Sequence, residues 1–422
     1  MNRIRIDSAG ECCGCGICTL QCPANCISMT EGADGFLMPV IDSDACLDCG
    51  ECRSVCPMIQ RKRESSPVGI MAAFSRREGV RLSCSSGGIF RELAEKTIAA
   101  GGIVFGAAFD SEWNVVGSKA ESMVELLPLL KAKYVQADMR NAFKNCGEAL
   151  KRGRKVLFCA TPCQISALTK YLGGNRGGLL AIDVVCHSVP SPGAWRKYIR
   201  ELPSQHSCFS VTKGDARGAY RLSCLYHDNP YMKAFLQDLI TRQACCDCPS
   251  RGLKSSADIT LGDFWGIEHL IPEAWDDKGC SLVIIHTEKG KEAVSDLDVE
   301  SWPATFREVS GFNASLVSSP VSREYSEKFP FTLTDDEEFV PGIERFLPHP
   351  DAKTVLFEKK GKLRRQIARI FKADPFSLDR EEAKRVERII SEGKYKISRI
   401  SFRDKHTGWK DYSISIEINT DL

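Results

Sequence analysis

The sequence predicts a small cysteine-rich α+β domain followed by a larger layered α/β domain. Three observations predict it. One run of spaced cysteines occurs twice within the first 60 residues. From residue 68 onward, short β-prone stretches alternate with stretches of helical period, the pattern of an α/β layered domain. At 422 residues and 43% hydrophobic content, the chain is long enough for about two to three domains with a substantial core.

The first run is Cys12, Cys15, Cys18, Cys22, closed by Pro23, and the second is Cys46, Cys49, Cys52, Cys56, closed by Pro57. Both read C-x-x-C-x-x-C-x-x-x-C-P, the bacterial-type ferredoxin signature. Thiolates are soft ligands suited to iron-sulfur clusters, and the short spacing lets one loop wrap three corners of a cubane. In two-cluster ferredoxins the fourth cysteine crosses to the other cluster. The spacing therefore assigns Cys12, Cys15, Cys18 and Cys56 to one 4Fe-4S cluster, and Cys46, Cys49, Cys52 and Cys22 to a second. Zinc is the alternative, but zinc sites use two separated C-x-x-C pairs rather than a full four-cysteine repeat. The stretches 27–29 and 36–40 fit the short strands that flank such clusters, and Gly32-Ala33-Asp34-Gly35 reads as the turn between them. A ferredoxin-like α+β domain with two 4Fe-4S clusters is thus expected over residues 1–62. The polar segment 61–67, ending in Pro67, reads as a solvated hinge.

The α/β part divides into 63–155 and 156–345. Candidate strands are 70–74, 103–109, 155–159, 179–185, 220–226, 258–261 and 281–286, with candidate helices at 89–100, 123–130, 142–151 and 164–172. Three segments stand out. Ser83-Cys84-Ser85-Ser86-Gly87-Gly88 leads straight into an apolar helix, where backbone N–H groups and the helix dipole favour an anion; a plain N-cap by Ser85 or Ser86 fits equally well. Thr161-Pro162-Cys163 ends a strand and starts a helix, at the carboxyl edge where α/β sheets bind ligands, and a helix start lowers a thiol pKa. A buried structural thiol is the rival reading of Cys163. Cys245-Cys246-Asp247-Cys248 contains a C-x-x-C pair; with Cys163 and Cys186 it offers ligands for a third cluster, while Cys245 and Cys248 alone offer a redox dithiol. No G-x-G-x-x-G follows a strand and no G-x-x-x-x-G-K-[ST] occurs, so a nucleotide cofactor has to bind in another way.

Residues 346–422 form a different extension. Leu356, Leu363, Ile367, Ile370 and Phe371 fall at helical spacing, opposite Lys359, Lys360, Arg364, Arg365 and Lys372. The stripe reads as a core-facing helix with a solvated basic face, the alternative being a basic amphipathic helix that lies on an acidic partner or membrane surface. A net charge of +2 sets up no strong field toward nucleic acid. There is no apolar run long enough to span a bilayer and no signal-peptide core near the N-terminus. With clustered thiols, these features point to a cytoplasmic protein.

At SSGGIFRELA, KYVQAD, TPCQISAL, DVVCHSVPSP, SADITLGDFWGI and DKGCSLVIIHTEKG the chain resembles the beta-subunit family of coenzyme F420 hydrogenases and dehydrogenases, in a bacterial form with an N-terminal ferredoxin. The resemblance covers residues 1 to about 295. It implies an α/β layered flavin and iron-sulfur domain that binds FAD near Ser86, Gly87, Gly88, Lys133, Tyr134, Thr161, Pro162 and Asp263. It also implies that Cys163, Cys186, Cys245 and Cys248 hold a third 4Fe-4S cluster. Small departures are Cys84 for Ser, Ala160 and Ser188 for Gly, and Cys246 for an aromatic, the last offering a neighbouring thiolate. The expected function is electron transfer between 4Fe-4S clusters and FAD, with hydride exchange to a small organic substrate of coenzyme F420 type or another. The expected partner is a ferredoxin or a hydrogenase or dehydrogenase subunit. Alternatives are a non-catalytic electron-wiring subunit, a ferredoxin-dependent reductase of an unrelated substrate, and a dithiol oxidoreductase. Catalytic residues are not legible.

Overall fold

In the computed structural model the described residues are 3–4, 9–59, 61–173, 176–201, 230–276, 278–318, 338–344, 395–399 and 415–418. Residues 1–347 form one compact unit and 348–422 another. In the first unit, the cysteine-rich segment carries a hairpin of β1 (Ile27–Glu31) and β2 (Leu37–Ile41), paired antiparallel around the 32–35 turn. Two short helices, α1 (Ile17–Gln21) and α2 (Glu51–Ser54), each sit inside one cysteine run and start at a left-handed glycine.

The α/β part is one eight-stranded mixed sheet. Its strands are β3 (Gly69–Ser75), β4 (Ile103–Phe109), β5 (Val115–Ala120), β6 (Val156–Ala160), β7 (Leu179–Val184), β8 (Ile259–Asp263), β9 (Ser281–Ile285) and β10 (Val299–Pro303). They lie in the order β10-β3-β9-β8-β7-β6-β4-β5. The inner four, β4, β6, β7 and β8, are mutually parallel, and both flanks are antiparallel. The inner strands are rich in Ile, Val, Leu and Phe because both of their faces are covered. On one face α3 (Glu78–Leu82) and α4 (Ile89–Ala99) follow β3, and the apolar side of α4 (Ile89, Leu93, Ala94) joins a core with Leu157, Ile182 and Val283. The short α5 (Met123–Leu126) lies on this face too, through Leu126, and on the other face lie α6 (Arg140–Lys151) and α7 (Pro162–Leu172).

The ferredoxin segment packs on the α6 and α7 side. Ile17 and Val55 share a buried cluster with Phe143, Ile165, Ala167 and Phe158. Burying an Ile of this kind stabilises by about 1.5–3 kcal/mol, so the cysteine loops are fastened to the sheet domain by core packing.

Three differences from the sequence expectations have physical causes. The helix expected over 123–130 ends at Leu126 and continues as a 3-10 turn over Leu127–Leu129, where Pro128 supplies no N–H. The 61–67 hinge is strapped down: Arg61 pairs with Asp247 at 2.7 Å, and Lys62 donates to the Ser255 carbonyl. The edge strands β5 and β10 have too little apolar alternation to stand out alone and are recruited by their neighbours. The candidate strand 220–226 and the amphipathic stripe 356–371 lie outside the described residues. In the second unit, Tyr395–Arg399 and Ser415–Ile418 pair antiparallel.

Candidate metal centre and cofactor loops

The eight ferredoxin-type cysteines divide between two cavities. Cys12, Cys15, Cys18 and Cys56 line one of about 500 Å³. Cys22, Cys46, Cys49 and Cys52 line a second of about 20 Å³. Each cavity thus takes three cysteines from one run and the last cysteine of the other. Backbone donors meet the sulfurs: Gly14 N–H donates to Cys12 Sγ at 3.3 Å and Ile4 N–H to Cys52 Sγ at 3.4 Å. Such donors favour a sulfur carrying negative charge. The Cys18 thiol is pushed up to about 12 by burial and by the nearby Cys12, Cys56 and Cys52. Crowded buried thiols that repel one another as anions are the donor set a cationic iron core relieves, so these residues fit the group. Cys26 is an unforeseen fifth thiol in the second cavity, with its Sγ 3.4 Å from Cys22 Sγ.

Four more thiols meet at the carboxyl edge of the parallel strands. Cys163 enters from the start of α7 after β6, Cys186 from just beyond β7, and Cys245 and Cys248 from the turn Gln243–Asp247 and its end. Arg251 donates to the Cys186 carbonyl at 3.3 Å and to the Cys245 carbonyl at 3.4 Å, which ties these two segments together, and burial followed by the charges of Cys245, Cys163 and Cys248 pushes the Cys186 thiol up. Their surface exposure is intermediate, yet protein closes around them. Burial pushes Cys245 up to about 12 and Cys248 up to about 11. The helix-start position was expected to lower the Cys163 thiol. It is raised instead, because a hydrogen bond with Cys13 and burial outweigh the dipole of α7. Cys246 lines the first ferredoxin cavity.

The loops named for a flavin also converge. Ser86 Oγ donates to the Cys280 carbonyl at 3.0 Å, and Asp263 at the end of β8 has its carboxyl pushed up by burial, with the Ser86 hydroxyl acting the other way. Ser85 Oγ accepts from Ala132 N–H, which joins this loop to the segment carrying Lys133 and Tyr134. Lys133 Nζ donates to the Leu130 carbonyl at 2.8 Å, and burial lowers its pKa to about 8. The Tyr134 carbonyl accepts from Tyr231 Oη at 2.8 Å. Thr161 caps α7 through a capping box with Gln164, and Pro162 takes the first helical position. Gly88 stands left-handed before α4, whose first turn has no side-chain cap, so N–H groups remain for an anionic ligand. Gly87 is different: its N–H donates to Ser281 Oγ at 2.9 Å, and a Cβ there would collide with the Ala73 carbonyl. Its glycine is a packing requirement against β3 and β9.

Sequence reasoning missed three residues that join the two thiol regions. Cys13, 7% exposed, shares a buried cluster with Cys15, and Cys163 packs against that cluster. Gln136 Nε2 donates to the Cys13 carbonyl at 2.7 Å. Arg242 lies buried against Gly14. The available signals were the Cys12-Cys13 doublet and a glutamine inside KYVQ, neither of which has meaning before the domains are docked.

Comparison with known proteins gives the following. Residues 153–302 match the family described as the C-terminal region of the coenzyme F420 hydrogenase/dehydrogenase beta subunit. Residues 11–58 match a 4Fe-4S dicluster domain. A curated 7Fe ferredoxin from Hydrogenibacillus schlegelii is 46% identical over 41 residues, which is 10% of this chain and 46% of that protein. The chain spans about half the length of this relative. A solved structure of the F420-reducing NiFe hydrogenase complex from Methanosarcina barkeri aligns with a TM-score of 0.42 and 15% identity, over 67% of this chain and 92% of that one.

Proposed function

The chain belongs to the coenzyme F420 hydrogenase/dehydrogenase beta-subunit-like family and carries a 4Fe-4S domain at its N-terminus, and from this premise we infer that it is an iron-sulfur flavoprotein oxidoreductase. The observation that carries the reading is the meeting of Cys163, Cys186, Cys245 and Cys248 at the sheet edge, in contact with Cys13 of the ferredoxin loop. We assign Cys12, Cys15, Cys18 and Cys56 to a first 4Fe-4S cluster, Cys22, Cys46, Cys49 and Cys52 to a second, and the sheet-edge four to a third. The curated relative is a 7Fe protein. Here both runs keep all four cysteines, which favours two four-iron clusters in this domain.

Clusters supply one-electron transfer, and a flavin supplies the conversion between single electrons and hydride. The chain's own part is to hold and order these groups. The uncapped start of α4 is suited to a pyrophosphate, Ser86 and Asp263 close the loop beside it, and Lys133 and Tyr134 lie on the segment that Ser85 fastens there. Packing of Cys13, Cys15 and Cys163 around one buried cluster sets the ferredoxin domain directly against the sheet edge. The substrate is a small organic molecule that exchanges hydride, coenzyme F420 or another, and the partner is a redox protein such as a ferredoxin or a hydrogenase subunit. No helix among the described residues is long and apolar enough to cross a membrane.

The test is composition and turnover. Anaerobically purified protein should hold about 12 iron atoms with matching sulfide, and about one acid-released FAD per chain. Reduced ferredoxin should bleach that flavin. Stoichiometric zinc with little sulfide would remove the cluster reading. Full cofactors with no hydride exchange by the isolated chain would favour the wiring subunit.

A further inference from the structure

Arg251 follows shortly after Cys248, and its guanidinium gathers four backbone carbonyls from three separate segments. Nη1 donates to the Ser315 carbonyl at 2.8 Å and to the Cys186 carbonyl at 3.3 Å. Nη2 donates to the His187 and Cys245 carbonyls, each at 3.4 Å. Among the described residues these bonds are to neutral oxygens, and no carboxylate shares the guanidinium. Two of the carbonyls belong to residues of the sheet-edge thiol set. The two chain segments that carry them are also paired through their backbones, since Arg242 N–H donates to the Val189 carbonyl at 3.0 Å and Ser191 N–H to the Ile240 carbonyl at 2.8 Å. That pairing stops short of Cys186 and Cys245, and Arg251 continues it across them. Ser315 lies on the turn Ala314–Leu316, beyond the matched family region 153–302. Gly252, left-handed at φ 58, lets the loop approach that turn, because a Cβ there would come within 2.2 Å of the Leu316 carbonyl. A planar guanidinium with five donors in a fixed fork can hold several segments at once, whereas an ammonium offers a single point.

We propose that Arg251 is the positioning residue of the inner metal centre: its fork sets the spacing between the segment of Cys186 and the turn of Cys245 and Cys248, and so holds these thiols ready for a cluster. The proposal rests on the reading of Cys163, Cys186, Cys245 and Cys248 as cluster ligands. Arg251 acts through the backbone of the ligand residues, in the way that outer groups orient metal ligands and lend the site affinity. The second ferredoxin cavity, lined by Cys22, Cys46, Cys49 and Cys52, does not include it and serves as an internal control. Arg154 is a control of another kind. Its Nη2 donates to the Gly101 carbonyl at 2.9 Å, at the opposite edge of the sheet, before β4 and β6 begin.

The experiment compares wild type, Arg251→Met, Arg251→Lys and Arg154→Met as anaerobic holoprotein. Iron per chain is counted, an iron chelator is titrated in, and each reduced cluster is followed by electron paramagnetic resonance. The unfolding midpoint is recorded alongside. In Arg251→Met the chelator concentration that removes half of the third cluster should fall about 10–100-fold, the usual cost of losing a group that supports a metal ligand. Arg251→Lys should recover little of this, because it keeps the charge and loses the fork. The g-values of whatever third cluster remains should shift in both, while the ferredoxin signals and the unfolding midpoint stay put. Complete absence of the third cluster in both, with those two controls intact, supports the proposal equally. Arg154→Met should match wild type throughout. A third cluster in Arg251→Met with wild-type retention and g-values would overturn the proposal, as would full recovery in Arg251→Lys. Loss of all three clusters together with a lower midpoint would make Arg251 a general fold residue and also overturn it. Wild type holding only about 8 irons overturns the underlying reading of the four thiols, and the proposal with it, whereas about 12 irons with unaffected variants overturns the proposal alone.

Discussion

The ferredoxin segment and the sheet edge gather thiols in opposite ways. In the ferredoxin segment the eight cysteines of the two repeated runs sit within 45 residues, on two short loops capped by α1 and α2, and Cys49 with Leu47 faces solvent. At the sheet edge four cysteines come from three places between residues 163 and 248, and each is set by the end of a strand or a turn. The first arrangement is local, so it costs little chain entropy to close and one end stays open to a partner. The second exists only when β6, β7 and the turn Gln243–Asp247 are in register. The difference teaches how each set is made: the outer one by spacing along the chain, the inner one by the register of distant strands and a turn.

The strongest way to break this comparison is to remove one inner ligand. Cys248→Ser should cost the third cluster, about four irons per chain, while both ferredoxin signals survive. Flavin reduction by reduced ferredoxin should then fall by more than the roughly 10–100-fold that follows loss of a group merely supporting a metal ligand. Reduction by a hydride donor should fall much less. Cys246→Ser is the control, since Cys246 lines the first ferredoxin cavity instead. Equal loss of both activities with FAD still bound would make the dithiol enzyme the better account.

Removing an outer ligand should cost less, because the local loop has a spare. Cys26 Sγ lies 3.4 Å from Cys22 Sγ and lines the same cavity. Cys22→Ser should therefore keep part of the second cluster's signal, and Cys22→Ser with Cys26→Ser should lose it. If the single and double variants behave alike, Cys26 is a bystander. If Cys22→Ser instead empties the cavity of Cys12, Cys15 and Cys18, the crossed assignment is wrong.

The same contrast explains what was legible in the sequence. The ferredoxin hairpin and its eight cysteines could be read because spacing within one loop is itself the geometry. The inner strands β4, β6, β7 and β8 could be read from apolar runs between helices. Edge strands β5 and β10 could not, since their pairing partners, not their residues, make them strands. Cys163, Cys186, Cys245 and Cys248 could be offered as one set from the C-x-x-C pair and two strand ends, but the redox dithiol stayed open beside it until the family resemblance, because nothing local says that residues 163 and 248 meet. Arg242, Gln136 and Cys13 belong to a docking surface, and no spacing encodes one. Gly87 reads from sequence as a ligand contact, whereas the structure gives it a packing role.

That role sharpens the comparison at smaller scale. A Cβ at Gly87 collides with the Ala73 carbonyl and comes within 2.8 Å of the Ser281 nitrogen, so two strands of the sheet must shift. Gly87→Ala should destabilise the sheet domain by about 1–3 kcal/mol, the usual cost of overpacking. The measurement is the midpoint of denaturant unfolding followed by tryptophan fluorescence, with the ferredoxin cluster signals recorded alongside. Those signals should persist into denaturant concentrations where the flavin is already released. An unchanged midpoint together with lost FAD would return Gly87 to the binding site.

A last expected effect, spread over several pH units, lies under the sheet edge. Asp183 on β7 is 0% exposed, accepts from Ser255 Oγ at 2.6 Å and bonds Thr260 Oγ1, and Thr260 Oγ1 in turn meets His286 Nε2 at 2.8 Å. Burial raises its pKa to about 7, against the lowering effect of those two hydroxyl bonds and of Lys62. The sign follows from proton counting. Between the ordinary carboxylate pKa near 4 and about 7, the folded protein holds a proton that the unfolded chain has released. Stability from this group is therefore complete at low pH and is lost as pH rises through that window, by at most about 1.4 kcal/mol per pH unit. Asp183→Asn should flatten that slope. Infrared difference spectra between pH 5 and pH 8 should show a protonated carboxyl band in wild type that disappears in Asp183→Asn. An identical band in both proteins would mean that Asp183 is already ionised at pH 5, and that Lys62 compensates its burial more fully than the hydrogen-bond geometry indicates.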